Sequence, residues 1–410
     1  MGKGYGLIGG KLGHSYSKLI HEHLYECDYR LIELKLDELE RFLYERDFAG
    51  LNVTIPFKQA VIPLCEKLTG EAQRIGSVNT LYFDRDGALT GDNTDHYGMT
   101  RMLEEFNLRD RQVVVLGATG GTGKTAACVL HDLGARVLTV SRSDPGGYES
   151  VYSFPADYLL NATPVGMYPA LEGCPVDPVR IARLQGVADV IYNPARTRLL
   201  MRAESVGLKR VGGLKMLVYQ AAGSAQRFLG APVEESRVEE TLRWLARKTR
   251  SIAFVGMPGS GKSTVARAVA EKLGRELIDT DQVIEARFGP IQEIFVRDGE
   301  ARFREMEAEV VREAALARGA VIATGGGAVL SEESRARLRA NAFVVQLERP
   351  LSELATRGRP LSSGPAALTK MYEERLPLYR SARDAEVWLR DFPGETADEV
   401  IRRFTEEVLA

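Results

Sequence analysis

Short apolar runs alternate with amphipathic stretches along the whole chain. Ser251-Ile252-Ala253-Phe254-Val255 reads as a buried strand, and Thr264 to Leu273 behind it as a helix. Val113-Val114-Val115-Leu116 predicts a second strand, a helix follows from about Lys124 to Leu133, and a strand from Arg136 to Val140 completes a βαβ unit. Tyr5 to Gly9 and Tyr158-Leu159-Leu160 predict further strands, and Val233 to Lys248 an amphipathic helix. Strands regularly separated by helices predict an α/β architecture with parallel sheets.

A chain of 410 residues is long enough for two or three domains, each with its own core. A net charge of -2 gives no sign of attraction to nucleic acid or membrane, and no apolar run approaches membrane-spanning length. The sequence runs straight into the Tyr5 strand, so no signal peptide is expected. Cys27, Cys65, Cys128 and Cys174 are widely spaced, with no CxxC pair, so a cytoplasmic protein with reduced thiols is expected. The five histidines show no metal-ligand spacing; His21 and His23, two apart, point to different faces of a helix, and no zinc site is expected.

Chemistry enters with Gly256-Met257-Pro258-Gly259-Ser260-Gly261-Lys262-Ser263, a complete phosphate-binding loop between the Ser251 strand and the following helix. Gly259, Ser260, Gly261 and Thr264 bring backbone N–H groups to the phosphates of ATP, Lys262 neutralises β/γ charge, and the Ser263 hydroxyl ligates Mg²⁺. A second Gly-rich turn follows Leu116. Ala118 to Thr125 fits a loosened phosphate-loop pattern; alternatively Gly121, Gly123 and Ala126 fit a loose dinucleotide fingerprint. Ser141-Arg142-Ser143, at the end of the next strand, lies where an adenosine ribose is read, and no second ATP-site constellation follows. Both points favour a dinucleotide carrying a 2′-phosphate.

Gly13-His14-Ser15-Tyr16-Ser17, Asn52-Val53-Thr54-Ile55-Pro56-Phe57-Lys58, Gly76-Ser77-Val78-Asn79-Thr80 and Gly91-Asp92-Asn93-Thr94-Asp95 occur in that order, followed by Tyr192 and Met216 to Ala222. Together they resemble shikimate dehydrogenase over residues 1–247. The resemblance implies that Ser15 and Ser17 hold the substrate carboxylate and that Thr54, Asn79, Tyr192 and Gln220 complete the shell. Lys58 and Asp95 are then the catalytic pair: the amine serves the reacting oxygen and the carboxylate orients it. NADP would meet Gly117, Ala118, Gly120, Gly121, Thr122, Ser141, Arg142 and Ser143. The family's turn is GAGG, two small residues and a basic one; here one extra residue, most simply Thr119, precedes the rest, and Lys124 takes the basic position.

Downstream, Asp279-Thr280-Asp281 reads as a strand end, Gly299-Glu300-Ala301-Arg302-Phe303-Arg304 as the lead into an acidic helix, and Ala323-Thr324-Gly325-Gly326-Gly327 as another strand end. With Arg357-Gly358-Arg359-Pro360-Leu361 and Arg375-Leu376-Pro377-Leu378-Tyr379-Arg380, this order resembles shikimate kinase over residues 250–410. By resemblance, Arg304 and Arg375 grip the substrate carboxylate, Asp281 takes a ring hydroxyl and its proton, and Gly326 and Gly327 let the backbone approach the ring. Asp279 would reach Mg²⁺ through water, Arg357 would lie over adenine, and Arg359 would stabilise the transferring phosphoryl group.

The expected architecture is a substrate-binding α/β domain (1–100 and about 213–247) with a Rossmann NADP domain (101–212) set between its two parts, and then a P-loop kinase domain with a parallel sheet (248–410). The expected activity is NADPH-dependent reduction of 3-dehydroshikimate followed by MgATP-dependent phosphorylation of shikimate, with small-molecule substrates as partners and neither nucleic acid nor membrane. Two alternatives stand beside it: an NAD-using quinate/shikimate dehydrogenase fused to the kinase, against which Arg142 argues, and a regulator built from degenerate enzyme domains, against which the retained Lys58, Asp95, Lys262, Asp281 and Arg304 argue.

Overall fold

The computed structural model describes residues 4–13, 15–354 and 365–408. The chain divides into two compact units, one of Met1–Met167, Gly173–Tyr192 and Leu199–Leu245, the other of Tyr168–Glu172, Asn193–Arg198 and Ala246–Ala410.

The first unit holds two sheets. One contains β1 (Tyr5–Gly9), β2 (Tyr29–Glu33), β3 (Gly50–Val53), β4 (Lys67–Leu68), β5 (Thr80–Phe83) and β6 (Leu89–Asp92), in the order β2-β1-β3-β5-β6-β4. It is mixed, not parallel throughout as the alternation predicted, because β5 runs antiparallel to both β3 and β6. The tight turn that returns β5 into β6 explains this: Asp84 N–H donates to the Ala88 carbonyl and Gly87 takes φ +80°, so no crossover helix fits between the two strands. Helices α1 (Ser17–Leu24), α2 (Leu39–Glu45), α3 (Gly70–Ile75) and α4 (Asp95–Leu103) belong to this part of the chain.

The other sheet is all parallel: β7 (Gln112–Leu116), β8 (Arg136–Val140), β9 (Tyr158–Asn161), β10 (Gly186–Asp189) and β11 (Lys209–Val211), in the order β11-β10-β9-β7-β8. Its strands are nearly continuous apolar runs because both faces are covered. Along β7, Val113 and Val115 pack with Ala126, Val129 and Leu130 of α5 (Gly121–Asp132), while Val114 and Leu116 face the opposite core with Leu199 and Leu200 of α6 (Arg198–Ser205). The chain steps from β7 to β8 on one side and then crosses to β9 on the other, so the strand order reverses at β7, and the carboxyl end of this strand is the switch point at which ligands bind in open α/β sheets. It then returns through α7 (Leu214–Leu229), which packs on α4 and α1, and α8 (Glu235–Thr249).

The second unit has one parallel sheet of β12 (Ser251–Val255), β13 (Leu277–Asp279), β14 (Val321–Ala323), β15 (Ala342–Glu348) and β16 (Ala385–Trp388), in the order β13-β14-β12-β15-β16. Ile252 and Phe254 pack on α9 (Lys262–Leu273) and α15 (Pro393–Glu407). Ala253 and Val255 pack on the opposite layer, which includes α12 (Gly299–Ala314), α13 (Glu332–Asn341) and α14 (Pro365–Ala382). Helices α10 (Thr280–Phe288) and α11 (Ile291–Arg297) form a smaller cluster with α12. Among the described residues no helix is long and apolar enough to cross a membrane.

Two readings of local structure change. Asp279 ends β13, but Thr280 and Asp281 already belong to α10, because the Asp279 carboxylate caps that helix by accepting from the N–H groups of Asp281 and Gln282. Gly299 to Arg304 does not lead into a helix; it is the first part of α12.

Candidate functional sites

In the first unit the polar loops at the strand ends converge. Lys58 follows β3 on a segment anchored by the fully buried Phe57, and its carbonyl accepts from Val78 N–H, which ties it to the Asn79 segment. Its Nζ lies 2.5 Å from Oδ2 of Asp95, the first residue of α4. Asn79 fixes the other carboxylate oxygen, its Nδ2 donating to Asp95 Oδ1 at 2.9 Å while its Oδ1 accepts from Thr94 N–H at 2.7 Å. Asn79 Nδ2 also reaches Gln220 Oε1 on α7 at 3.3 Å. Asp95 thus has both oxygens held, one by the Lys58 ammonium and one by the Asn79 amide, so the pair is fixed in place.

Behind this row runs a chain of buried hydroxyls and amides. Ser224 Oγ on α7 joins Thr80, Thr94 and the Asn52 amide, and Asn52 Oδ1 accepts from Tyr29 Oη at 2.7 Å. Each of these polar groups finds a partner in its neighbour, so the network fixes the loops that carry it. Ser15 and Ser17 lie together at the start of α1, with Oγ atoms 3.1 Å apart, and Tyr16 between them packs against Tyr192, ring centroids 5.2 Å apart. Thr54 is half-buried at the end of β3, with its N–H on the Ile8 carbonyl.

The Gly-rich turn after β7 follows the alignment with one extra residue and not the Gly121, Gly123, Ala126 fingerprint. Gly117 takes φ +82° and donates to the Val140 carbonyl, and α5 begins at Gly121 with Gly120 as its N-cap. Gly123, not Ala126, packs the helix onto the turn: a Cβ there would collide with the Gly117 carbonyl oxygen and lie 2.6 Å from Ala118 Cα. The working glycines are therefore Gly117 for the turn, Gly120 for backbone approach and Gly123 for packing, with the added residue taken up between the first two. Ala118 and Thr122 are half-buried along the turn; Lys124 is exposed on α5. Ser141 ends up buried just past β8, its N–H on Asp144, while Arg142 and Ser143 are exposed.

The loop after β12 is built differently. Gly256, Gly259 and Gly261 all take positive φ, and α9 starts at Lys262 itself. Lys262 is buried, with Nζ on the carbonyls of Gly256 and Met257 at 2.9 and 3.0 Å. In the look-alike segment the helix starts three residues before its lysine, and the side chain leaves into solvent instead of folding over the turn. Ser263 and Thr264 are exposed at the opening of α9, while Ser260 is buried.

Beside this loop lies a charged cluster. The Arg304 guanidinium donates to Glu307 Oε2 at 2.6 Å and Glu300 Oε1 at 3.0 Å. A Cβ on Gly325 would lie 2.7 Å from Asp281 Oδ1, a Cβ on Gly326 would lie 2.6 Å from Pro258 Cγ, and one on Gly327 would run into the Arg304 guanidinium. The Gly325–Gly327 turn thus brings Asp281, Arg304 and the phosphate loop to one place. The Gly326 carbonyl is held by Arg375 Nη1 at 3.0 Å and Tyr379 Oη at 2.7 Å. Glu307 and Tyr379 were not singled out from sequence. Burial pushes the Glu307 carboxyl up, against the pull of Arg304, and pushes Tyr379 up to about 12. Glu307 lies one turn after Arg304 among the acidic residues of α12; the i, i+3 spacing was the available signal. Arg357 and Arg359 lie outside the described residues, as does His14.

Comparison with known proteins sorts the two sites. The family model for the shikimate dehydrogenase substrate binding domain matches residues 7–81, and the shikimate kinase model matches residues 258–406. Shikimate dehydrogenase (NADP(+)) of Clostridium beijerinckii is 38% identical over 240 residues, 53% of this chain and 88% of that protein. A chorismate mutase/shikimate 5-dehydrogenase fusion protein from Clostridium acetobutylicum superposes with a TM-score of 0.58 at 34% identity, covering 60% of this chain and 98% of that one. The shikimate 5-dehydrogenase of Thermus thermophilus, solved with NADP(H) and shikimate, gives 0.53 at 30% identity over 58% of this chain and 98% of its own.

Proposed function

The chain belongs to the shikimate dehydrogenase family, and from that premise we propose that it is a two-activity enzyme in which residues 1–247 reduce 3-dehydroshikimate with NADPH and residues 248–410 phosphorylate the shikimate formed, using MgATP. The observation that carries this reading is the presence in one chain of the held Lys58–Asp95 pair and of the Lys262 loop abutting the Asp281–Arg304 cluster.

In the first reaction Lys58 Nζ donates to the carbonyl oxygen while hydride arrives at its carbon, and Asp95, fixed by Asn79, keeps the ammonium aimed. Ser15 and Ser17 take the carboxylate, and Thr54, Tyr192 and Gln220 the remaining hydroxyls. NADP fits the turn: Gly123 lets α5 close onto Gly117, and the exposed Arg142 lies past β8, suited to a 2′-phosphate. When bound, the nicotinamide supplies the hydride.

In the second, Arg304 and Arg375 hold the carboxylate, Asp281 accepts the proton of the attacking hydroxyl, and Lys262 covers the charge on the transferring group. Ser263, at the opening of α9, and Asp279, whose Oδ1 caps α10, would hold Mg²⁺, which would screen the charge of the phosphates.

The test is a one-pot assay. The protein is given 3-dehydroshikimate and NADPH, loss of NADPH absorbance is followed, MgATP is added, and the product is identified by mass. Appearance of shikimate and then shikimate 3-phosphate is expected, with Lys262→Met stopping at shikimate. NADPH loss without any phosphorylated product in the unmodified protein would remove the second half of the assignment.

A further inference from the structure

Away from the reacting groups, three side chains able to bind a metal meet between α4 and α5. His96 follows Asp95 in the first turn of α4. Cys128 and Asp132 lie four residues apart, on one face of α5. One ligand atom from each lies within 4.8 Å of the others, and no other such trio of His, Cys, Asp or Glu side chains is found among the described residues. Tetrahedral zinc, with bonds of about 2.0–2.3 Å, wants its donors roughly 3.3–3.8 Å apart. The His96–Asp132 pair, at 2.8 Å, has to open and any separation near the 4.8 Å limit has to close, adjustments of about 1 Å that side-chain rotation makes.

We propose that His96, Cys128 and Asp132 form a zinc site with an open fourth position. An i, i+4 pair on one helix and a third ligand from the helix crossing it hold such an ion without rebuilding backbone. The mixed nitrogen, sulfur and oxygen donors decide the metal: Mg²⁺ wants oxygen throughout, so the ion that serves the phosphoryl transfer does not compete here.

Arg74 occupies the place of the cation at present. It forks onto Asp132 with two contacts of 2.7 Å, and His96 Nε2 approaches the same carboxylate at 2.8 Å. Arg74 is half exposed, and Glu71, one turn earlier on α3, already contributes to its electrostatic surroundings. A divalent ion therefore replaces a monovalent one at Asp132, and Arg74 has a second carboxylate to turn to. Arg74 acts as a competitor built into the site, and removing it tightens metal binding. Once bound, zinc ties the helix that opens on Asp95 to the helix that starts at the Gly-rich turn.

The experiment uses the full chain stripped with EDTA and titrated with Zn²⁺ against a chromophoric chelator. One equivalent is expected to stay with the protein, Cys128→Ser and His96→Gln to weaken it by roughly tenfold or more, and Arg74→Ala to strengthen it. Co²⁺ in place of Zn²⁺ is expected to give a thiolate charge-transfer band that Cys128→Ser abolishes. Failure of the unmodified chain and of Arg74→Ala to retain zinc, or a cobalt band that survives Cys128→Ser, would overturn the site. These readouts require neither enzymatic activity, so they fail or succeed apart from the assigned reactions.

Discussion

Gly123 packs so closely under Gly117 that a Cβ would collide with the Gly117 carbonyl oxygen, with Ala118 Cα 2.6 Å away. Gly123→Ala is therefore expected to open the turn. Overpacking of this sort costs about 1–3 kcal/mol, so NADPH affinity should fall by roughly 10–100-fold while phosphorylation of shikimate is unchanged. Cofactor titration by fluorescence, with the kinase assay beside it, checks both halves; unaltered NADPH affinity would show that the turn tolerates the methyl group.

Lys58→Ala removes the amine that Asp95 holds at 2.5 Å. The dehydrogenase kcat is expected to fall by roughly 10²–10⁴-fold with a much smaller change in KM, the span that one general acid contributes. Steady-state rates at saturating NADPH measure it. A change confined to KM would make Lys58 a binding residue.

How far the chain could be read in advance depended on whether a site is local. The phosphate loop was legible because all of its working parts lie within eight consecutive residues, and β12 and α9 flank it directly. At the Gly-rich turn the fingerprint drawn through Gly121, Gly123 and Ala126 gives way to the alignment with one extra residue at Thr119, since the packing of Gly123 on Gly117 identifies the third glycine. Asp281 was read onto a strand because a capping aspartate at Asp279 and a strand-ending one look alike in sequence. Spacing along the chain does not show that His96 lies beside Cys128 and Asp132, on a helix that begins 25 positions later.

Glu307 is expected to govern substrate affinity in the kinase half by holding Arg304. Glu307→Ala takes away a charged hydrogen-bond partner, an interaction of about 1.5–3 kcal/mol, and shikimate KM should rise by roughly 10–100-fold with ATP KM unchanged. Varying each substrate in turn separates the two. Equal increases for both would place Glu307 in the general stability of α12.

Acid should weaken the first unit through His21. The ring is fully buried, stacked on Tyr29 at 4.3 Å, and burial lowers its pKa from the ordinary 6.5 to about 3. Below pH 6.5 the unfolded chain takes a proton that the folded one refuses until about pH 3. Stability from this group is complete above 6.5 and is lost across that window as pH falls, at about 1.4 kcal/mol per pH unit. His21→Phe keeps the stacking and has nothing to titrate. Urea unfolding between pH 6 and 4.5, followed by loss of dehydrogenase activity, should show a difference between the two proteins that grows by that amount; a constant difference would mean that His21 is protonated in the fold.

The buried hydroxyl-and-amide row behind Asp95 draws on widely separated stretches of chain: Asn52 meets Ser224 across 172 positions, and Asn79 meets Gln220 across 141. During synthesis the loops that carry Lys58 and Asp95 leave the ribosome first, yet their interior partners arrive only with α7, after the whole cofactor sheet has been made. A nascent chain that stops before Leu214 has the reacting pair but lacks Gln220 and Ser224, the α7 partners of its Asn79, Asn52, Thr80 and Thr94 side chains. The interior network behind the reacting pair is therefore complete only once α7 has been made.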